Sequence, residues 1–198
     1  MTASTKPQPS AAVFNLPNQL TVLRLALSLV LFGLITFKLY AIGFFVFVVA
    51  ASTDWLDGYF ARKYGMVTTL GRILDPFVDK IIICGTFICL VADKDSEIQG
   101  WMAVVVVGRE LLITALRSFL EQQGADFSAT MSGKLKMLLQ CLAAGASLFY
   151  LSKLAAPEGG ASPDWVYYTL VSSVWAALLL TVYSGVEYVR RAMLLWRQ

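Results

Sequence analysis

The stretch STDWLDGYFARKYGMVTTLGRILDPFVDK, residues 52–80, places four aspartates and four basic residues close together in a strongly apolar chain. Of the 198 residues, 58% are hydrophobic and only 15% are charged, whereas soluble domains are about 45–50% apolar. The composition therefore predicts a membrane protein. So much charge in one stretch of such a chain indicates a functional site rather than a structural segment.

Apolar runs on both sides of this stretch are long enough to cross a membrane. About 30 Å of hydrocarbon requires roughly 20 helical residues. We therefore predict an all-α integral membrane protein with six transmembrane helices, at residues 20–39, 42–61, 70–92, 100–120, 135–154 and 166–189. The aspartates lie at the facing ends of the second and third predicted helices.

The N-terminal segment differs in composition from the first predicted span. Residues 1–14 are rich in Pro, Ser and Ala, and we expect them to form a flexible tail ahead of a single membrane domain at 15–198. Pro17 and Asn18 lie just before the first span, which indicates a short N-terminal interfacial helix or turn there.

Basic residues are distributed unevenly between the two sides of the predicted bundle. With the N-terminus inside, eleven lie at cytoplasmic ends and three at the opposite ends. Because Lys and Arg are retained in cytoplasmic loops, both termini are expected in the cytoplasm. This orientation puts residues 52–80 at the cytoplasmic face of the cell (inner) membrane. The net charge of only +3 gives no support to a nucleic-acid partner, whereas membrane lipids are expected partners.

The four aspartates have helical spacing. Asp54 and Asp57 are three residues apart and Asp75 and Asp79 are four apart, so on helices each pair lies on one face. Four carboxylates cannot share a low-dielectric site unless something positive neutralises them. Hard divalent cations such as Mg²⁺ take oxygen ligands and often share them with substrate phosphates. The alternative is that these are ordinary interfacial charges paired with Arg62, Lys63, Arg72 and Lys80.

Two residue types narrow the chemistry further. The chain has no histidine, which excludes His-ligated zinc and Ser-His-Asp triads. A proton acceptor must then be Asp, Glu, Lys, Tyr or Cys, and an aspartate is the nearest candidate. The three cysteines lie in apolar runs without CxxC spacing, so we expect buried thiols and no disulfide.

The aspartate stretch resembles the signature of the CDP-alcohol phosphotransferase family, D-x-x-D-G-x-x-A-R-x8-G-x-x-x-D-x-x-x-D. It matches this signature without a gap at Asp54, Asp57, Gly58, Ala61, Arg62, Gly71, Asp75 and Asp79. The segments NLPNQLTVLRL, LDPFVDK, GRELLITALR and GKLKMLLQ also resemble those of bacterial members that use glycerol 3-phosphate. Met137 departs from the threonine expected in the last of these segments.

The resemblance implies a transfer of the phosphatidyl group from CDP-diacylglycerol to an alcohol. Asp54, Asp57, Asp75 and Asp79 would hold two Mg²⁺ or Mn²⁺ ions, and Asp79 would also be the general base. Thr68 and Gly71 would lie in a loop that closes on the cytidine. The full set implied to bind CDP-diacylglycerol is Asn18, Thr21, Arg24, Gly58, Ala61, Arg62, Thr68 and Gly71.

A second group of cations indicates where an acceptor phosphate would bind. Arg109 lies inside the fourth predicted span, where an unpaired guanidinium is costly, and Arg117 follows two turns later. Lys134 and Lys136 open the fifth span at the same membrane face. These four residues are predicted to bind the phosphate of glycerol 3-phosphate. The alternative is that Glu110 or Asp79 neutralises Arg109 and that the lysines only set topology.

Other functions are compatible with parts of this pattern. The same chemistry on inositol phosphate, serine or choline would differ only in the acceptor site. A cation transporter would also carry intramembrane carboxylates, but near the midplane and without the Asp-Gly-x-x-Ala-Arg spacing. A homodimer is compatible with the sequence.

Overall fold

The computed structural model describes residues 16–64, 69–122, 131–156 and 163–196, and it describes their side chains except at 16–18, 54–64, 69–76, 121–122 and 195–196. Within these ranges the chain forms six α-helices and one short 3-10 helix, with no strand. The α-helices are α1 Leu16–Thr36, α2 Tyr40–Tyr64, α3 Thr69–Leu90, α4 Gly100–Gln122, α5 Met131–Leu154 and α6 Asp164–Trp196, and the 3-10 helix is Lys94–Ser96. The all-α class and the count of six α-helices are confirmed, whereas six membrane spans stay a prediction.

The two ends of α1 differ from the prediction. The helix is continuous from Leu16, so no separate interfacial helix precedes the span among the described residues. Pro17 is tolerated because N–H groups in the first turn have no intrahelical partner to lose. At the other end Lys38 adopts a left-handed φ of 58°. The N–H groups of Lys38 and Leu39 bond back to Ile35 and Leu34 at 3.0 and 2.8 Å, which ends the helix earlier than predicted.

The helices alternate in direction, as contacts at the two ends of the bundle show. At one end, which we call the site end, Arg24 near the start of α1 contacts Asp79 in the first half of α3. At the far end, the hydroxyl of Tyr40 donates to Asp93 at 2.5 Å, and the hydroxyl of Tyr167 donates to Glu97 at 3.2 Å. The C-terminal part of α2 and the N-terminal part of α3 therefore both lie at the site end.

Small residues allow close packing between the helices. Ala143 and Ala144 of α5 and Ala177 of α6 are fully buried, and side chains of this size let helix backbones approach closely. Between α1 and α3, a Cβ built on Gly85 would overlap the ring of Phe32. Any side chain at position 85 would displace that ring, so the position of Phe32 depends on the glycine.

The apolar surface agrees with a membrane protein. By length and composition, three helical segments of the described ranges are able to cross a membrane, at 19–36, 131–154 and 164–194. The apolar part of α2, Tyr40–Thr53, is shorter. Helices α3 and α4 carry several charged residues at the site end. Which side of the membrane each end faces remains a prediction.

Candidate functional site

A cavity at the site end gathers residues that lie far apart in the sequence. It has a volume of about 270 Å³ and lies among α3, α4, α5 and α6. Its charged lining residues are Asp79, Lys80, Arg109, Glu110, Arg117, Lys134 and Lys136. Five cations and two carboxylates give this lining a net formal charge of +3. We call this space the cationic cavity.

All four residues predicted to bind the acceptor phosphate line this cavity. Arg109 and Arg117 enter from α4, and Lys134 and Lys136 from the start of α5. Lys136 is buried, with 4% of its surface exposed, whereas Lys134 is exposed. Asp79, the predicted general base, lines the same cavity. The structure thus brings the predicted phosphate-binding residues and the predicted base together, although their roles stay predictions.

Asp79 is held by a buried arginine. Arg24, only 1% exposed, donates from Nη1 to Oδ1 of Asp79. Thr21, one turn earlier in α1, is equally buried. Two of the three α1 residues predicted to bind CDP-diacylglycerol therefore face inward, and one of them contacts the predicted base. Asn18 lies in α1 outside the described side chains.

The other signature residues fall where only the helix backbone is described. The segments containing Asp54, Asp57 and Asp75 are helical, so the predicted spacing on one helix face holds. Gly58, Ala61 and Arg62 lie in the last turns of α2, outside the described side chains. Gly71 was expected in a loop, and this was wrong, because α3 begins at Thr69 and includes it in its first turn. Thr68 lies outside the described residues.

Glu110 joins two of the cations in the cavity. Its Oε1 accepts from Nζ of Lys136 and lies 3.3 Å from Nη1 of Arg109. The alternative in which Glu110 neutralises Arg109 is therefore correct as a contact, yet Arg109 still lines the cavity. The ion pair described for Asp79 is with Arg24. Sequence analysis did not assign Glu110 to the site.

Helix α6 also contributes to the site, which the sequence analysis missed. Tyr188 lines the cavity, and Ser184 accepts a hydrogen bond from Nη2 of Arg109 at 3.1 Å. Thr181, one turn before Ser184, is fully buried and accepts from Gln140 of α5 at 2.9 Å. Positions 181, 184 and 188 lie on one helix face, so polar groups at this spacing in an apolar helix were the available signal.

Two arginine residues at the cavity each have a buried donor that contacts no acceptor in the described part of the chain. Among the described residues, the buried Nε atoms of Arg109 and Arg117 have no hydrogen-bond acceptor. Buried polar groups in proteins normally have hydrogen-bond partners, so buried donors at a cavity that have none are candidates to bind a ligand. An anion with several acceptor oxygens suits such an arrangement.

The Glu110–Lys136 pair supplies a stability test. Replacing Glu110 with leucine should destabilise the protein by about 3–5 kcal/mol, because it leaves Lys136 buried without its carboxylate. The double variant Glu110→Leu/Lys136→Met should recover most of this loss. Arg109 keeps its contacts with α6 in both variants. Unfolding in detergent measures the difference. Equal stability of the single and double variants would contradict a coupled pair.

The donor set of the four aspartates fits a hard divalent cation. Both carboxylate pairs lie on helix segments at the site end, and carboxylate oxygens are preferred ligands of Mg²⁺ and Mn²⁺. Asp79 lies beside the cation of Arg24, which stabilises a charged carboxylate at this position. Within the described side chains no cluster of three metal-binding groups is found, so the ligand set as a whole remains a prediction.

Comparison with known proteins gives a consistent result. The sequence model of the CDP-alcohol phosphatidyltransferase family matches residues 14–184. A Bacillus subtilis protein named CDP-diacylglycerol--glycerol-3-phosphate 3-phosphatidyltransferase is 32% identical, over 89% of this chain and 94% of its own length. A Rickettsia bellii protein of the same name is 34% identical, over 88% and 93%. A Mycobacterium tuberculosis protein named probable phosphatidylglycerophosphate synthase is 35% identical, over 92% and 84%.

Proposed function

We propose that this chain, which belongs to the CDP-alcohol phosphatidyltransferase family, transfers the phosphatidyl group of CDP-diacylglycerol to sn-glycerol 3-phosphate. The products are phosphatidylglycerophosphate and CMP, so the enzyme acts in phospholipid biosynthesis. The names of the similar bacterial proteins support this acceptor. The observation that carries the proposal is the cationic cavity, which places four predicted phosphate-binding cations and the predicted base around one space.

The charge of the cavity suits a phosphate dianion. Its lining has three more cations than carboxylates, and each charge-assisted hydrogen bond contributes about 1.5–3 kcal/mol. Arg109 and Arg117 supply the planar donors that match phosphate oxygens, and Lys134 and Lys136 add point charges. The free Nε–H groups of both arginines are available to the same ligand. An unphosphorylated alcohol would not offset the excess positive charge of this lining.

With the phosphate held there, Asp79 is the residue that takes the proton. The acceptor's primary hydroxyl gives its proton to the Asp79 carboxylate, and its oxygen attacks the phosphorus that bears diacylglycerol. The bond from that phosphorus to the CMP oxygen breaks, and CMP leaves with the electron pair. Arg24 fixes the position of the Asp79 carboxylate through their ion pair. The transfer is direct, with no covalent enzyme intermediate.

The four signature aspartates would hold divalent metal, two Mg²⁺ or Mn²⁺ ions in our proposal. Bound there, the metal would neutralise the pyrophosphate of CDP-diacylglycerol and the charge that develops on departing CMP. The remaining signature residues, together with the start of α1, would bind the nucleotide. The family match supports a divalent-metal requirement.

The decisive experiment identifies the product. Purified protein is incubated with CDP-diacylglycerol, Mg²⁺ and one of four alcohols: glycerol 3-phosphate, inositol phosphate, serine or choline. Mass spectrometry should find phosphatidylglycerophosphate and CMP with the first. Preferential reaction with another alcohol would reassign the acceptor while keeping the chemistry. No product with any alcohol would refute the proposed function.

We also propose that the site end faces the cytoplasm, in the inner membrane. Reporter fusions after Gln198 and within residues 63–70 should report the cytoplasm, whereas fusions within 93–100 and 156–164 should report the outside. The basis is the excess of Lys and Arg at the site end. Fusions within 93–100, at the far end, serve as the opposite-side control. An external signal from residues 63–70 would separate the aspartates from cytosolic substrates and invert the orientation.

A further inference from the structure

Three residues of helix α6 lie close to the side chain of Arg109. Ser184 Oγ accepts from Arg109 Nη2 at 3.1 Å. The ring centroid of Tyr188 lies 5.4 Å from the guanidinium carbon, within the range of a cation–π contact. A Cβ built on Gly185 would lie 3.3 Å from Cγ of Arg109, so the glycine leaves room for the arginine stem. We call Ser184, Gly185 and Tyr188 the α6 cradle.

The hydroxyl of Ser184 is itself fixed in direction. It donates to the backbone carbonyl of Thr181 at 3.1 Å, which leaves its lone pairs free to accept from Arg109. The hydroxyl of Thr181 accepts from Gln140 of α5 at 2.9 Å. Ser184 and Thr181 are fully buried. The cradle is therefore tied to α5, and it presents an acceptor rather than a donor to the arginine.

Tyr188 connects both arginines of the cationic cavity. Its ring lies against Arg109, and its hydroxyl accepts from Nη2 of Arg117 at 3.4 Å. The side chain is only 2% exposed, so both contacts are shielded from water, which strengthens electrostatic interactions. One aromatic side chain thus contacts the guanidinium groups of two arginines that lie two turns apart in α4. Their Nε donors remain without an acceptor among the described residues.

We infer that the α6 cradle positions Arg109 and Arg117 for the acceptor phosphate, so that Tyr188, Ser184 and Gly185 determine acceptor affinity without touching the reacting atoms. This inference rests on the proposed function and deepens it. Flexible arginines lose side-chain entropy when they bind a phosphate, and a side chain already held in position loses less. Loss of the cradle should therefore weaken acceptor binding and leave CDP-diacylglycerol binding unchanged.

The test compares graded changes at Tyr188. Tyr188→Leu removes both contacts and should raise the KM for glycerol 3-phosphate about tenfold. Tyr188→Phe keeps the ring against Arg109 and loses the contact to Arg117, so a rise of only about two- to threefold is expected. Gly185→Ala and Ser184→Ala should each raise the same KM. Tyr183→Leu is the matched control, since Tyr183 lies in α6 but is 64% exposed. In this variant the KM for glycerol 3-phosphate should stay at the wild-type value.

A merely structural role would give a different result. Partial unfolding lowers kcat by reducing the active fraction, but it leaves KM unchanged. Tyr188 variants with normal KM and reduced kcat would therefore overturn the inference while the proposed function stands.

If the wild-type protein does not use glycerol 3-phosphate, the proposed function fails, and the cradle is then tested with inorganic phosphate as the ligand. Phosphate should then raise the melting temperature of wild type and Tyr183→Leu but not of Tyr188→Leu, and an equal rise in all three would overturn the cradle.

Discussion

Replacing Asp79 with asparagine should lower kcat at least about a hundredfold, and as much as ten-thousandfold, because the carboxamide cannot accept the proton of the attacking hydroxyl. Among the residues whose side chains are described, one other carboxylate lines the cationic cavity. That carboxylate, Glu110, is engaged by Lys136 and Arg109 and is poorly placed to substitute. The measurement is the rate of CMP release at saturating CDP-diacylglycerol and glycerol 3-phosphate.

Asp79→Asn also removes the charged partner of Arg24, which is 1% exposed, so lost stability must be separated from lost chemistry. The double variant Arg24→Gln/Asp79→Asn replaces the ion pair with two neutral amides, which should restore much of the stability. It should remain inactive. Recovery of turnover in this double variant would mean that Asp79 serves only to neutralise Arg24 and is not the base.

A second comparison separates the base from the metal ligands. Asp57→Asn should also abolish turnover at ordinary Mg²⁺, since it removes a charged ligand and the chain has no histidine to replace it. Excess Mn²⁺ or Mg²⁺ should recover part of the activity of Asp57→Asn but none of that of Asp79→Asn. If the wild-type protein kept full activity in excess chelator, the metal requirement would be refuted, and with it the proposed role of Asp57 and Asp79 as metal ligands.

The helix count could be predicted from sequence because long apolar runs separated by polar turns are a local property. The ends were less accurate. The first helix stops at Thr36 because Lys38 adopts a left-handed conformation, and this position usually carries glycine. With lysine there, the predicted span ran on to residue 39, three residues beyond the end of the helix. Gly71 was wrongly expected in a loop, since a glycine can also occupy the first turn of a helix.

The candidate site, too, could be predicted only in part from the sequence. The spacing of the aspartates and the cations of α4 and α5 could be recognised along the chain, and the described members meet in one cavity. The contributions of Glu110 and α6 depend on which faces of distant helices meet. Ser184 and Tyr188 lie 75 and 71 residues from the arginines that they contact. No local pattern encodes those pairings, so only the folded structure identified them.

Replacing Arg117 with alanine should raise the KM for glycerol 3-phosphate at least about tenfold, because it removes one or two charge-assisted contacts of about 1.5–3 kcal/mol each. Arg117 lines the cationic cavity, and its Nε donor has no protein acceptor among the described residues. The KM for CDP-diacylglycerol should change little, because those residues of the proposed nucleotide site that the structure describes lie on α1, α2 and α3. Initial rates with each substrate varied separately measure the two constants.

Arg190→Ala is the matched control for this variant. Arg190 lies in the part of α6 that is at the site end, and it is exposed. Its replacement therefore removes one positive charge from the site end, as Arg117→Ala does, without altering the cavity. If long-range attraction alone draws glycerol 3-phosphate to the protein, both variants should raise its KM to a similar extent, and added salt should remove the difference from wild type. If Arg117 binds the phosphate directly, only its replacement should raise the KM, and the effect should persist at high salt. A loss of CDP-diacylglycerol affinity in Arg117→Ala would instead place the nucleotide in this cavity and exclude it as the acceptor site.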